Sequence, residues 1–327
     1  MKIEIDFSKF YIADFLKHVT KKQNTSSIIW IFLNIILISL TFGYLFTDGN
    51  IPMAFVVGTV IYLLTVVVIL SPFGEWISRR QSGCKVPTAE VLARLQPILD
   101  EVLKTARSKR PELPEKLNLY INEDEAANAF ALGRKTVCCT KGLLQYSDEE
   151  IQAIFGHEVG HIANHDTDLI LVVTGGNLII NLLFGIVRFV FRVFVLMASL
   201  VGFLIPGIGG LLYTLAQRLF TFVSAHVLGA LMNAWVKLGI WLTMHSSRKE
   251  EFAADAFSCQ LGYKDGLLQF FQRLQLLEQE ANAEAGVVTQ KGFFAALEDS
   301  HPDTALRIER IRAFSTLDTV PTHTTHE

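Results

Sequence analysis

Two long apolar blocks, Ser26 to Leu70 and Leu169 to Thr243, limit what this chain can fold into more than any other feature. Ser26 to Phe46 is apolar apart from Asn34 and a few hydroxyls, and Ile51 to Leu70 is apolar throughout. Each is long enough to cross a hydrocarbon core about 30 Å thick. Residues 26–72 therefore read as a pair of transmembrane helices. The chain of 327 residues is 50% hydrophobic with a mean hydropathy of +0.36, too apolar for an ordinary soluble domain, and leaves room for one folded domain besides membrane segments. The turn Thr47-Asp48-Gly49-Asn50 carries no positive charge, whereas Lys2, Lys9, Lys17, Lys21 and Lys22 precede the pair and Arg79, Arg80 and Lys85 follow it. The positive-inside bias places both flanks in the cytoplasm. The lysines of residues 1–25 alternate with Phe7, Phe10, Tyr11, Phe15 and Leu16, a basic arm suited to a bilayer surface.

Charge excludes one class of partner. The net charge is -3 and no Lys/Arg run is interleaved with aromatics, so nucleic acid is set aside. Cys84, Cys138, Cys139 and Cys259 show no Cys-x-x-Cys spacing, which suggests neither a thiolate metal site nor a disulfide framework.

Between the apolar blocks, Phe155 to Asp166 reads Phe-Gly-His-Glu-Val-Gly-His-Ile-Ala-Asn-His-Asp. On a helix His157 and His161 leave the same face one turn apart, so two imidazoles can converge on one metal ion beside Glu158. Ser147 with Glu150 forms a capping box ahead of Ile151, Ile154, Phe155, Val159 and Ile162, an apolar side that leaves the histidines facing a cleft. This is the pattern of a zinc-dependent peptidase, with Glu158 as the base. Upstream, Pro87 to Ser108 predicts an amphipathic helix that Pro97 could divide. Lys116 to Ile121, Ala127 to Leu132 and Thr136 to Thr140 predict a small sheet, with a turn at Gly133 and Arg134. Asn128, Ala129 and Phe130 are candidates for an edge strand that hydrogen-bonds an extended substrate. Residues 76–168 are thus the first part of the folded domain.

A tetrahedral catalytic metal needs a third protein ligand and one open position. After the second block, residues 244–315 contain Ser247-Arg248-Lys249-Glu250-Glu251-Phe252-Ala253-Ala254-Asp255. Glu251 is the favoured ligand, because on a helix it shares a face with Asp255, which can accept a hydrogen bond from a liganding imidazole. Glu250 and His165 remain as alternatives. A third ligand beyond 169–243 can meet His157 and His161 only if that block crosses the membrane an even number of times. The block therefore reads as a hairpin of two membrane helices bent at Ile205 to Gly210, giving four in all. Arg188 and Arg192 mark where its first arm reaches headgroups or a cavity. His301 and Arg307 could support the transition state, although His301-Pro302 also suits a helix start and Arg307 a structural ion pair. Residues 316–327 have too few large apolar groups to pack and read as a disordered tail.

Four motifs in order carry a family resemblance: Asn128-Ala129-Phe130-Ala131-x-Gly133, His157-Glu158-x-x-His161-Ile162-Ala163-Asn164-x-Asp166, Ser247-Arg248-x-x-Glu251-Phe252-x-Ala254-Asp255, and His301-Pro302-x-x-x-x-Arg307-Ile308. The chain resembles the HtpX-type membrane zinc peptidases, relatives of the type I CAAX prenyl endopeptidases, over most of its length. The resemblance implies a mostly α polytopic membrane protein with an α+β zincin-like domain. It implies one zinc ion held by His157, His161 and Glu251, Glu158 as catalytic base, and misfolded or surplus membrane proteins as substrates at the bacterial inner membrane. Two other functions are weighed: a membrane chaperone or adaptor that binds unfolded polypeptide without cutting, and a prenyl-protein endopeptidase.

Overall fold

The computed structural model describes residues 15, 25–40, 47–204, 209–223, 226, 228–285 and 304–315. The described elements, in order, are α1 (Thr25–Ile38), α2 (Ile51–Ile69), α3 (Pro72–Gln81), α4 (Ala89–Lys109), β1 (Asn118–Asn122), β2 (Ala129–Leu132) and β3 (Thr136–Thr140). There follow α5 (Asp148–Asn164), α6 (Asp166–Leu204), α7 (Gly209–Phe222), α8 (Leu228–Gln260), α9 (Lys264–Ala285) and α10 (Thr304–Ala313). The protein is mostly helical with one small sheet. It divides into two compact units, one from the chain up to Thr25, Leu70–Leu171 and the chain from Met244 onward, the other from Ser26–Ile69 and Val172–Thr243.

In the first unit the sheet has the order β1-β3-β2, with β1 parallel and β2 antiparallel to β3. Among the described residues β2 pairs on one side only, and is an edge strand. The expected strands fall close to their places, with β1 starting two residues later, at Asn118, and ending one later, at Asn122. Proline 97 does not divide α4, which runs unbroken from its Thr88 cap. Leu95, Leu99, Val102 and Leu103 of α4 join Leu117, Leu119, Val137, Ile151, Phe155 and Val159 in one core between sheet and helices. Helix α3 is absent from the sequence reading. Its signal was present: Ser71 caps the amides of Phe73 and Gly74, Pro72 opens the first turn, and Glu75 lies within it.

Helix α5 begins as expected. Ser147 Oγ accepts from the Glu150 amide while the Glu150 carboxylate accepts from the Ser147 amide. Ser147→Ala should lower unfolding stability by about 1 kcal/mol, measured by chemical denaturation, because it exposes orphaned amides at the start of this helix. The helix ends at His165, whose left-handed backbone (φ 64°) turns the chain before α6. Gly156 and Gly160 then allow close approach to α8. A Cβ at Gly160 would lie 3.1 Å from Ala254 Cα, and one at Gly156 would lie 2.8 Å from Ser258 Oγ. Ser258 Oγ donates to the Ala153 carbonyl at 2.7 Å, fixing the two helices in register.

In the second unit, α2 is long and apolar enough to cross a membrane, and among the described residues it is the one helix that meets both criteria. Trp30 of α1 is fully buried, its ring 4.7 Å from that of Trp235. The four membrane helices expected from composition are thus represented here by one clear case. The expected bend around Pro206, the tail 316–327 and all of the arm 1–25 except Phe15 and Thr25 lie outside the described residues.

Candidate metal centre and active site

Helices α5 and α8, held together by their small residues, bring His157, His161 and Glu251 to one point. One ligand atom from each lies within 4.8 Å of the others, while Glu250 and His165 are not part of this cluster. His157 Nε2 and His161 Nε2 are 3.1 Å apart, and Glu251 lies 3.6 Å from the first and 3.5 Å from the second. Tetrahedral donors at metal bonds of about 2.0–2.1 Å stand about 3.3 Å from one another. The observed spacings fit that geometry.

The outer nitrogens explain the orientation. His157 Nδ1 is 2.9 Å from Asp255 Oδ1, and His161 Nδ1 is 3.0 Å from Asp166 Oδ2. Each carboxylate accepts from the Nδ1–H of its imidazole, which leaves both Nε2 atoms facing inward. Asp255 was anticipated as such a partner and Asp166 was not. Asp166 reaches His161 because the left-handed cap at His165 reverses the chain, a feature that helical spacing alone does not reveal.

Arg307 of α10 reaches the same cluster. Its guanidinium meets Asp255 at 2.9 and 2.6 Å and Glu251 at 3.2 Å, with its face on Phe271. The side chain is buried among these groups. His301 lies outside the described residues. Buried together here are the carboxylates of Glu158, Glu251, Asp255 and Asp166 against one guanidinium. Such an excess of negative charge away from water suits a divalent cation.

Burial raises the Glu158 carboxyl above its ordinary range; His157 and His161 oppose the shift and Glu251 adds to it. Burial pulls His161 downward, but Asp166 and Glu251 outweigh it and hold the imidazole well above its usual value. Burial likewise pushes the Asp255 carboxyl up, and Arg307 and His157 more than offset it, leaving it below the usual carboxylate range. Asp255→Asn should weaken metal affinity about 10- to 100-fold, measured by competition with a chelating indicator, because an amide orients and polarises the His157 ring less well.

Strand β2 supplies the remaining contact: the Ala131 amide donates to Glu158 Oε2 at 2.8 Å. Of the proposed edge residues, Asn128 has its backbone engaged by Thr140, which receives its amide proton at 2.8 Å and donates to its carbonyl at 2.9 Å. Antiparallel alternation then turns Phe130 toward β3 and the backbone groups of Ala129 and Ala131 toward the open edge.

A glutamate beside a pair of imidazoles, hydrogen-bonded to the amide of an edge strand, with a carboxylate closing the cluster, is the arrangement of a metallopeptidase. The profile of peptidase family M48 matches residues 90–315, and the chain belongs to that family and is a metalloprotease. It is similar to the protein named Protease HtpX of Hydrogenovibrio crunogenus, 29% identical over 248 residues, 73% of this chain and 77% of the relative. It is also 29% identical over 258 residues to Protease HtpX of Pseudomonas aeruginosa, covering 73% and 79% of the two chains. For that of a Psychrobacter species the identity is 26% over 261 residues, covering 74% and 78%.

Proposed function

We propose that the chain is a membrane-embedded zinc endopeptidase that cuts misfolded or surplus membrane proteins at the cytoplasmic face of a bacterial inner membrane. The observation that carries this is the convergence of His157, His161 and Glu251 beside Glu158. Two imidazoles and one carboxylate favour zinc among common divalent ions. Zinc so held supplies a Lewis acid that polarises the scissile carbonyl and makes water acidic enough to attack it at neutral pH.

The protein's own groups do the rest. Glu158 takes the proton of the attacking water at Oε1, since Oε2 is held by Ala131, and returns it to the leaving amine. An extended peptide adds to the open edge of β2 through the Ala129 amide and carbonyl and the Ala131 carbonyl. Asp255 and Asp166 keep the imidazoles aimed, and Arg307 pairs with both Asp255 and Glu251 and holds them in place. The membrane anchor combines α1 and α2 within residues 26–72 with two crossings in residues 169–243, the even number that a cluster with donors from both α5 and α8 supports. The HtpX relatives and the apolar α2 favour the membrane site of action over a soluble one.

The test is cleavage of an unfolded membrane protein by the detergent-purified chain. Activity should vanish on chelation and return with one equivalent of zinc. Binding of the unfolded chain without any cleavage, zinc present, would favour a chaperone instead. Cleavage confined to prenylated peptides would favour the prenyl-protein endopeptidase.

A further inference from the structure

Glu75 of α3 lies upstream of residues 90–315, and no part of the proposed reaction uses it. Yet it is a buried carboxylate, 8% exposed, and its surroundings are built around it. Thr136 Oγ1 donates to Glu75 Oε1, Arg79 Nη1 donates to the same oxygen at 3.2 Å, and the amides of Arg134 and Lys135 donate to the carboxylate as well. Gly133, with φ +59°, lets the turn fold tightly over it: a Cβ there would come 2.7 Å from Glu75 Oε2. The β2–β3 turn is thus wrapped around one side chain from a helix outside the sheet. On its other side the same turn is anchored by Arg134, whose guanidinium meets Asp168 at 3.1, 3.1 and 2.6 Å, two residues beyond the His161 partner Asp166.

Strand β2 ends at Leu132, directly before this turn, and Ala131 is the residue whose amide holds Glu158. An extended strand rises about 3.4 Å per residue and hardly stretches, so a shift of the turn along the strand axis is passed to Ala131 almost undiminished. A hydrogen bond of 2.8 Å lengthened by about 1 Å is no longer a bond. We propose that Glu75 is a positioning residue for the reaction: by holding the Gly133–Lys135 turn it sets the axial position of β2, and through the Ala131 amide it orients Glu158. The inference rests on the peptidase reading of the site.

The experiment uses the full-length, zinc-loaded protein with an unfolded polypeptide substrate and compares Glu75→Ala, Glu75→Gln and Thr136→Val with the parent. Glu75→Ala should lower kcat about 10- to 100-fold with KM changed less than about threefold, as expected for a misaimed base. Zinc content should be unchanged, and amide exchange should accelerate in residues 129–135 but not in 119–122. Glu75→Gln keeps the reach and an acceptor oxygen, and should recover most of kcat. Thr136→Val is isosteric, removes one hydrogen bond from the β3 side and should give a smaller loss of the same kind, which keeps the test open if Glu75→Ala folds poorly. An active parent with unchanged kcat in Glu75→Ala and Thr136→Val would overturn this proposal alone. So would a kcat loss that merely follows lost zinc or lost folded protein. A parent that cuts nothing would overturn the peptidase reading and this proposal with it.

Discussion

Glu158→Gln is expected to lower kcat by about a hundred- to ten-thousand-fold while the protein still binds its metal, the scale of removing a general base. The structure makes the substitution clean. Glu158 is buried in α5, where Gln is nearly as good a helix former, and the Ala131 amide can still donate to the Gln carbonyl oxygen. The two imidazoles keep their carboxylate partners, Asp255 and Asp166, so the cluster proposed to hold the metal is untouched. What disappears is the group able to take a proton at Oε1. Metal analysis of the purified variant beside its turnover checks both halves; a variant that loses metal, or one that keeps full turnover, would contradict the assigned role.

Glu251→Ala is expected to do the opposite, removing metal and with it all turnover. The loss in affinity should exceed the roughly 100-fold upper range for disturbing an outer partner, because a donor itself is deleted and only two imidazoles remain. A structural complication is limited. Removing Glu251 takes away the 3.2 Å contact with Arg307 but leaves the guanidinium paired with Asp255 at 2.9 and 2.6 Å. The buried arginine keeps a countercharge, so folding should survive, which matters because stranding a buried charge typically costs about 3–5 kcal/mol. Equilibrium dialysis against zinc with parallel thermal unfolding separates metal loss from misfolding. Glu250→Ala is the matched control and should bind zinc as the parent does.

Much of this site is legible in the chain because it is written at helical spacing. His157 and His161 one turn apart, Glu158 beside them, and Ser147 with Glu150 at the start of the helix all concern residues within two or three turns, where geometry follows from local periodicity. The same holds for Glu251 and Asp255, four residues apart on one helix face, and it is from the place of Glu251 in the sequence that an even number of crossings in residues 169–243 is expected. The order and approximate limits of the three strands also followed from alternation and from the turn at Gly133.

Other parts were not legible, for reasons that are physical. Asp166 serves His161 only because His165 adopts a left-handed conformation, which is uncommon for a residue other than glycine. Arg307 reads in the sequence as a donor to the transition state or as a structural ion pair without a named partner; in the folded protein it is buried against Asp255 and Glu251, contacts that cross about fifty residues of sequence and depend on how α10 packs. Which backbone groups of β2 face the open edge depends on its register with β3, and a slip of one residue would exchange Ala129 and Ala131 for Asn128 and Phe130. Helix α3 was missed because ten residues between apolar blocks offer little periodicity, even though Ser71, Pro72 and Glu75 mark its start.

The chain by itself determined the candidate chemistry: which side chains are of a type and spacing to bind a metal, which carboxylate stands beside them, and that long apolar blocks flank them. These are properties of residue type and short-range spacing, and they hold wherever the segments lie. Only the tertiary structure decided how the centre is supported. Gly156 and Gly160 admit α8 so closely that Glu251 reaches the histidines, the cap at His165 turns Asp166 back onto His161, and Glu75 grips the turn that sets β2 against Glu158. Each depends on contacts between segments far apart in sequence, whose distances are fixed by packing and not by periodicity.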